Sequence, residues 1–273
     1  MKIITFWGGL GNQMFEYAYY RWLQEKFPKE KFYAYHPNIG LSAHNGLEIN
    51  KRFDVELPPT SILTTVISNI LFNVNRVCRR LRLPVIATCT QQNGNYNAVF
   101  HCDYWQNKKY ISDSFNLKPL KTNNLDIKNW NILKMANDDN VVAVHIRRGD
   151  YLKAENTTTY GGICTEQYYS LAMNYIEERI GNPRYIIFSD DPQYVKKHYT
   201  GKNTIIVDWN IGENSFYDMY LMSQCKNMIL ANSTFSYWAA RLNKKSGIIC
   251  CPTKWTNVNE PDIILDHWNK IEI

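Results

Sequence analysis

"VVAVHIRRGDY", residues 141–151, is an apolar run that ends in two adjacent arginines, a glycine and an aspartate. The run is short, rich in β-branched residues and bounded by turn formers, so it reads as a buried strand over Val141–Ile146. Successive strand residues point to opposite faces, so only one of Arg147 and Arg148 is expected to face a crevice. Downstream, the pattern alternates. A helix is expected over 165–180 with Thr165 as N-cap, then a strand over 184–188, "SDD" and a helix from near Pro192. A strand over 204–207, a helix over 215–223 and a strand over 227–230 follow. The loop "ANSTFS", a helix over 237–243 and a last strand over 247–251 complete the series. Short apolar strands alternating with helices imply a parallel, doubly wound α/β sheet.

The chain also opens as strand, glycine loop and helix. Residues 2–7 read as a buried strand and "GGLGN" (8–12) as a tight turn. Residues 13–26 then have helical spacing, with Met14, Tyr17, Ala18 and Leu23 toward one face. A second strand is expected over 32–35. Residues 61–83 form the clearest amphipathic pattern, with Leu63, Val66, Ile67, Ile70, Leu71, Val74 and Val77 at a 3.6 period. Arg76, Arg79, Arg80 and Arg82 crowd its end. The pattern has two readings. One is a helix lying on an anionic membrane. The other is a core helix with cations favoured by the dipole at its C-terminus, and this second reading is preferred. Residues 97–111 read as a strand and a short helix. The polar stretch 123–140 is the expected boundary, giving domains 1–135 and 136–273.

The formal charge of +6 is modest and does not demand nucleic acid, and the basic residues are scattered except around Arg76. Apolar residues at 45% and charged residues at 21% suit a globular protein. Aromatics at 14% invite sugar or base stacking, but core packing is the commoner use of such rings. Seven cysteines, with no CxxC pair and no zinc spacing, point to a reduced chain with no metal site. No stretch is apolar enough to span a bilayer. The expected location is cytoplasmic, with peripheral contact at the inner membrane left open.

Ligands of open parallel sheets bind beyond the carboxyl ends of the strands. Three polar clusters are expected there: His145, Arg147, Arg148 and Asp150; Asp190 and Asp191; and Asn232, Ser233, Thr234 and Ser236. Each has a duller reading. The arginines could pair with Asp150 and Asp190, and "SDD" and "NSTFS" could each cap a helix. Hydroxyls and free N–H groups at a helix N-terminus also make a phosphate site. A carboxylate at "SDD" could hold a ribose hydroxyl or a guanine edge. Together the clusters describe a nucleoside-diphosphate site neutralised by arginine. No GxGxxG follows a strand and no GxxxxGK[ST] occurs, which disfavours dinucleotide oxidoreductases and P-loop enzymes.

"FWGGLGNQMFEYA" (6–18), "HIRRGDY" (145–151), "FSDD" (188–191) and "MILANSTFSYWAARL" (228–242) resemble, in the same order, motifs of the bacterial α-1,2-fucosyltransferase family, a glycosyltransferase family 11-like group. The resemblance implies a GT-B type fold of two Rossmann-like domains across a cleft, with GDP-fucose in the C-terminal one. It implies inverting transfer of fucose to the 2-hydroxyl of a terminal galactose on a glycan acceptor, without a divalent metal, cofactor or nucleic-acid partner. Surface-polysaccharide synthesis (O-antigen or capsule) is the implied setting. The match places Arg147 on the diphosphate, with His145, Arg148 and Asp150 on the same motif in less defined roles. It puts Asn232, Ser233, Thr234 and Ser236 near the phosphates, Phe235 against base or sugar, and Asp190 or Asp191 near the guanosine. Asn12 and Gln13 would meet fucose or acceptor. Glu16, Asp150 and His145 are all candidate bases. Tyr237 and Asn227 depart from the pattern, which commonly has tryptophan and a basic residue there. Three rival readings stand beside this one: a non-catalytic sugar-binding module, an RNA-binding protein, and a transferase for another nucleotide sugar.

Overall fold

A computed structural model describes residues 1–112, 114–120, 125–201 and 203–273. The chain divides into two compact units, Met1–Lys121 and Thr122–Ile273. The expected boundary after Met135 therefore lies too late. The start of the polar stretch, 123–124, falls outside the described residues. The helix that follows it, α5 (Ile127–Met135), is tied into the second unit. Its buried Asn129 donates to Asn210 and accepts from Trp209 Nε1 at 2.8 Å. A polar composition suggested a linker, but these amides and indoles satisfy one another.

The first unit runs β1 (Lys2–Thr5), α1 (Leu10–Lys26), β2 (Phe32–Tyr35), α2 (Asn38–Leu41), α3 (Ile49–Arg52), α4 (Ile62–Arg80), β3 (Thr88–Cys89) and β4 (Phe100–His101). Its strands pair in parallel in the order β2-β1-β4-β3. The aromatics mostly fill its core. Tyr19 and Trp105 stack with centroids 3.6 Å apart, and the Tyr19 hydroxyl bonds His101 Nδ1 at 2.8 Å.

Helix α4 begins at a capping box in which Ser61 and Thr64 satisfy each other's backbone N–H groups. The preferred reading of this segment as a core helix is corrected by its orientation. Thr64, Ser68, Asn75 and Cys78 face inward, while Ile67, Leu71 and Phe72 border the cluster of Ile3, Tyr35, Phe100 and Cys102. Most of the apolar stripe points outward.

The second unit adds, after α5, β5 (Val141–Ile146), α6 (Ala154–Tyr160), α7 (Glu166–Ile180), β6 (Arg184–Ser189), α8 (Pro192–His198) and β7 (Thr204–Val207). It continues with α9 (Phe216–Gln224), β8 (Asn227–Ile229), α10 (Thr234–Leu242), β9 (Ile249–Pro252) and β10 (Asn269–Ile271). These strands form one parallel sheet in the order β10-β9-β8-β5-β6-β7. The short β10 was not foreseen, because three residues carry no readable period. Val142, Val144 and Ile146 pack on Tyr168, Tyr169, Ala172 and Ile176 of α7 and Val195 of α8. By alternation, His145 and Arg147 belong to the other face. All seven cysteines are free thiols. Among the described residues no helix is long and apolar enough to cross a membrane.

Candidate functional site

The strand order of the second sheet reverses between β5 and β8, which lie side by side although β6 and β7 come between them in the chain. Such a switch point opens a crevice at the carboxyl ends of the two strands. The loop after β5 carries Arg147, Arg148, Gly149 and Asp150. The loop after β8 carries Asn232 and Ser233 and feeds α10.

Arg147 lies at the centre of this crevice. Its Nη2 donates to Asp150 Oδ1 at 2.6 Å and its Nη1 pairs with Asp190 Oδ2 at 2.9 Å. Its Nε is buried and has no hydrogen-bond partner. Burial opposes the charge, but Asp190 and Asp150 outweigh it and hold the guanidinium more firmly protonated than usual. Arg148 turns the other way, as alternation requires. Its Nε pairs with Asp191 Oδ2 at 3.1 Å and its guanidinium carbon lies 3.4 Å from the centre of the Tyr194 ring. The two adjacent arginines therefore do different work: one enters the crevice and the other clamps α8 to the sheet.

The aspartates act first as scaffold. Asp190 Oδ1 accepts from the Arg148 N–H at 2.8 Å. Asp191 caps α8, its Oδ1 accepting from the Tyr194 N–H at 3.1 Å. In the structure the Asp190 and Asp191 oxygens serve arginines and backbone, and both side chains stay partly exposed. Gly149 is the residue that sequence reasoning missed. A side chain there would collide with the Asp190 carboxylate as it stands, so glycine leaves Asp190 room to reach Arg147. The signal was present as the glycine within "RRGD".

The hydroxyl loop divides in the same way. Ser236 is fully buried and its Oγ donates to Ala231 O at 3.0 Å, so its expected place at the phosphates is corrected. Asn232 donates to Trp255 O at 3.1 Å and Tyr160 O at 3.3 Å, closing the loop rather than lining it. Ser233 caps α10, accepting from the Phe235 N–H at 3.3 Å. Helix α10 starts at Thr234, earlier than expected, because Ser233 supplies the cap. Thr234 and Phe235 remain half-exposed at the helix N-terminus, where backbone N–H groups favour an anion. Tyr151 joins the two loops. Its hydroxyl donates to Asn232 O at 2.9 Å and its ring lies 5.5 Å from the Arg147 guanidinium carbon.

His145 is buried with its ring 5.4 Å from Phe235. Burial, and then the charge of Arg147, push its pKa down from 6.5 to about 3. It is a neutral wall of the crevice.

In the first unit, the glycine loop feeds α1 directly. Gly8 needs its positive φ of 71°, and Gly9 is the N-cap of a helix that starts at Leu10 rather than Gln13. Gln13 is fully buried. Its Nε2 donates to Gly8 O at 2.8 Å and Gly46 O at 2.9 Å, and its Oε1 accepts from Glu48 N at 2.8 Å and Ile49 N at 3.1 Å. Every polar position is used, so the expectation that Gln13 meets substrate is corrected. Asn12 is half-exposed and accepts from Gln106 Nε2 at 3.0 Å. Glu16 is fully buried, accepts from the Trp7 N–H at 3.0 Å, and leaves Oε1 unpartnered. Burial raises its pKa well above the usual carboxyl range. It is not an exposed helix glutamate, and burial disfavours its ionised form. Among the described residues no three His, Cys, Asp or Glu side chains are gathered to hold a metal.

Comparisons with known proteins agree with this architecture. The chain is 31% identical to the alpha-1,2-colitosyltransferase of Escherichia coli, covering 97% of both chains. It is likewise 31% identical to the O-antigen biosynthesis glycosyltransferase WbnK of Escherichia coli, covering 96% of this chain and 97% of that one. A galactoside 2-alpha-L-fucosyltransferase, SEC1 of Bos taurus, matches over 37% of this chain and 28% of its own length at 29% identity. Among solved structures, the NodZ fucosyltransferase of Bradyrhizobium superposes with a TM-score of 0.52 at 12% identity, over 88% of this chain and 91% of that one. The ADP-heptose lps heptosyltransferase II of E. coli superposes with a TM-score of 0.50 at 12% identity, covering 100% of this chain and 91% of that one. The fold is thus GT-B, two α/β units each built on a parallel sheet. The family model for glycosyl transferase family 11 matches residues 1–272, and the chain belongs to that family and is a glycosyltransferase.

Proposed function

We propose that the protein transfers L-fucose from GDP-β-L-fucose to the 2-hydroxyl of a terminal galactose, forming an α-1,2 linkage with inversion. The observation that carries the reading is Arg147, a guanidinium at the switch point beside the N-terminus of α10. As the bond from fucose C1 to the β-phosphate oxygen lengthens, the sugar gains oxocarbenium character and the diphosphate gains negative charge. A guanidinium grips two oxygens and stays ionised, so it stabilises that charge without a divalent metal.

Without nucleotide, the cluster of two arginines and three aspartates carries a net charge of −1 (2 − 3), so a phosphate must displace a carboxylate. Asp150 is the one to yield, being the most exposed of the three at 37%. Asp190 stays as the anchor that aims Arg147. Phe235 offers a ring beside the phosphates, and the N–H groups at the start of α10 share the charge. His145 and Asp150 lie with Arg147 on the leaving-group side. An attacking hydroxyl must approach from the opposite side of fucose C1, so neither is placed to act as base. Asn12, on the first unit, is assigned to acceptor or fucose. Glu16 is assigned a structural role, and the developed oxocarbenium ion relies on weak base assistance.

GDP-colitose is a second reading, favoured by the colitosyltransferase relative. Colitose is fucose without its 3-hydroxyl, so the two donors share the diphosphate site. O-antigen synthesis is the proposed setting, and a lipid-linked acceptor would bring the reaction to the inner face of the cytoplasmic membrane. The test is incubation with each GDP-sugar and a panel of galactose-terminated glycans in EDTA, followed by linkage analysis. A fucosylated α-1,2 product supports the reading. Product from GDP-colitose alone selects the second donor. No product from either donor, or a requirement for metal, overturns the proposal.

A further inference from the structure

Helix α4 is built inside out. Its inward face is mixed: Ile67, Leu71 and Phe72 border the core beside buried Thr64, Ser68 and Asn75, and Asn75 bonds both Ile86 and Thr88. Its outward face is apolar. Leu63, Val66, Ile70, Val77 and Leu81 each keep more than half of their surface in solvent, and Val74 more than a third. At 100° per residue these side chains fall within one stripe along the helix. Leu83 and Ile86, both also more than half exposed, extend it past the helix end. Exposed apolar residues are ordinary when scattered, but a continuous stripe marks an interaction surface.

The charge around the stripe indicates its occupant. Arg76 and Arg80 lie along one edge and Arg82 just beyond the end, all exposed. Arg79 is drawn back, its Nη2 donating to Cys102 O at 3.2 Å. No acidic residue occurs between Glu56 and Asp103. Two copies pairing on this face would bring arginines to a surface with no acid to meet them. A bilayer with anionic headgroups offers both an apolar depth and negative charge.

We infer that α4 lies in the plane of an anionic phospholipid surface, with its apolar stripe among the acyl chains and Arg76, Arg80 and Arg82 at the headgroups. This goes beyond the transfer reaction and needs neither donor nor acceptor to be observed. Full-length protein is floated with vesicles of phosphatidylcholine alone, or of phosphatidylcholine and phosphatidylglycerol in equal parts. Binding is expected to the anionic vesicles and to be far weaker on the neutral ones. Arg76→Gln with Arg80→Gln should weaken it about twentyfold, at roughly fivefold per arginine. Val66→Ser with Ile70→Ser and Val77→Ser should weaken it at least about tenfold. Both variants should keep wild-type circular dichroism and wild-type turnover on a soluble acceptor. The inference is overturned if the wild type ignores anionic vesicles, or if either variant binds as tightly as the wild type. It is equally overturned if the stripe drives a dimer that the serine variant dissolves while vesicles stay bare.

Discussion

The glycine loop of the first unit and the arginine loop of the second are built alike, yet they use their polar residues in opposite directions. Both leave the carboxyl end of a parallel strand, β1 or β5. In the first, Gln13 and Glu16 turn into the protein, and Gln13 ties the loop to residues far along the chain. In the second, Arg147 is held at the surface of a crevice by the partly exposed carboxylates of Asp150 and Asp190. A motif that marks a family is therefore not uniformly a list of substrate contacts. Some members, such as Gln13, shape the loop, and burial with complete hydrogen bonding sets them apart from those left facing solvent.

Five substitutions at four positions test this division. Arg147→Ala should lower kcat by about a hundred- to a thousandfold, about 3–4 kcal/mol of barrier, while the protein stays folded. Arg147→Lys should recover only part of that rate, because an ammonium cannot grip two oxygens in a plane. Steady-state kinetics beside circular dichroism reads both. If the alanine variant turns over normally, the arginine loop is scaffold too. Gln13→Ala should act on stability instead. It strands buried N–H and carbonyl groups, costing about 3 kcal/mol and on the order of 10 °C in Tm, with kcat of the folded fraction unchanged. Thermal melts check the first part and active-site titration the second.

Asp150→Asn should have a smaller effect, less than about tenfold in kcat, because the lost pair is partly exposed and Asp190 still aims the guanidinium. Glu16→Gln should change the rate least. Removing a true general base costs about a hundredfold or more, and no such loss is expected. Its mark is in the pH dependence of stability. Folded Glu16 holds its proton above the pH at which the unfolded carboxyl releases it. Its stabilising contribution is therefore full below about pH 4.5 and is lost as pH rises toward its folded pKa. Denaturant melts across that range should show a falling limb in the wild type that Glu16→Gln flattens. An equal slope in both would place the ionised carboxylate in the core.

Much of this architecture was legible because the strands of the second sheet are short apolar runs bounded by turn formers. The alternation rule even separated the two arginines, since Arg148 turned out to face Tyr194 and α8. At "SDD" and "NSTFS" the structure shows the caps, by Asp191 and Ser233, which sequence could not decide because one residue type serves both uses. Glu16 and Ser236 were misplaced for one reason: depth within a unit depends on contacts distant in sequence. For α4 the period was plain but its phase was not. Periodicity locates an apolar stripe and says nothing about whether the sheet lies beneath it, and Thr64, Ser68 and Asn75 took that place. Gly149 matters through a neighbour forty-one positions away (190 − 149), Asp190, which no local pattern reveals.

The account stands on Arg147 exchanging a carboxylate for a phosphate, and a crystal structure with GDP bound tests that most directly. It should show the β-phosphate oxygens about 3 Å from the Arg147 guanidinium. The pair to Asp150 should be broken, the pair to Asp190 kept, and the phosphates close to the start of α10. A nucleotide bound elsewhere, with Arg147 still held by both Asp150 and Asp190, would contradict it.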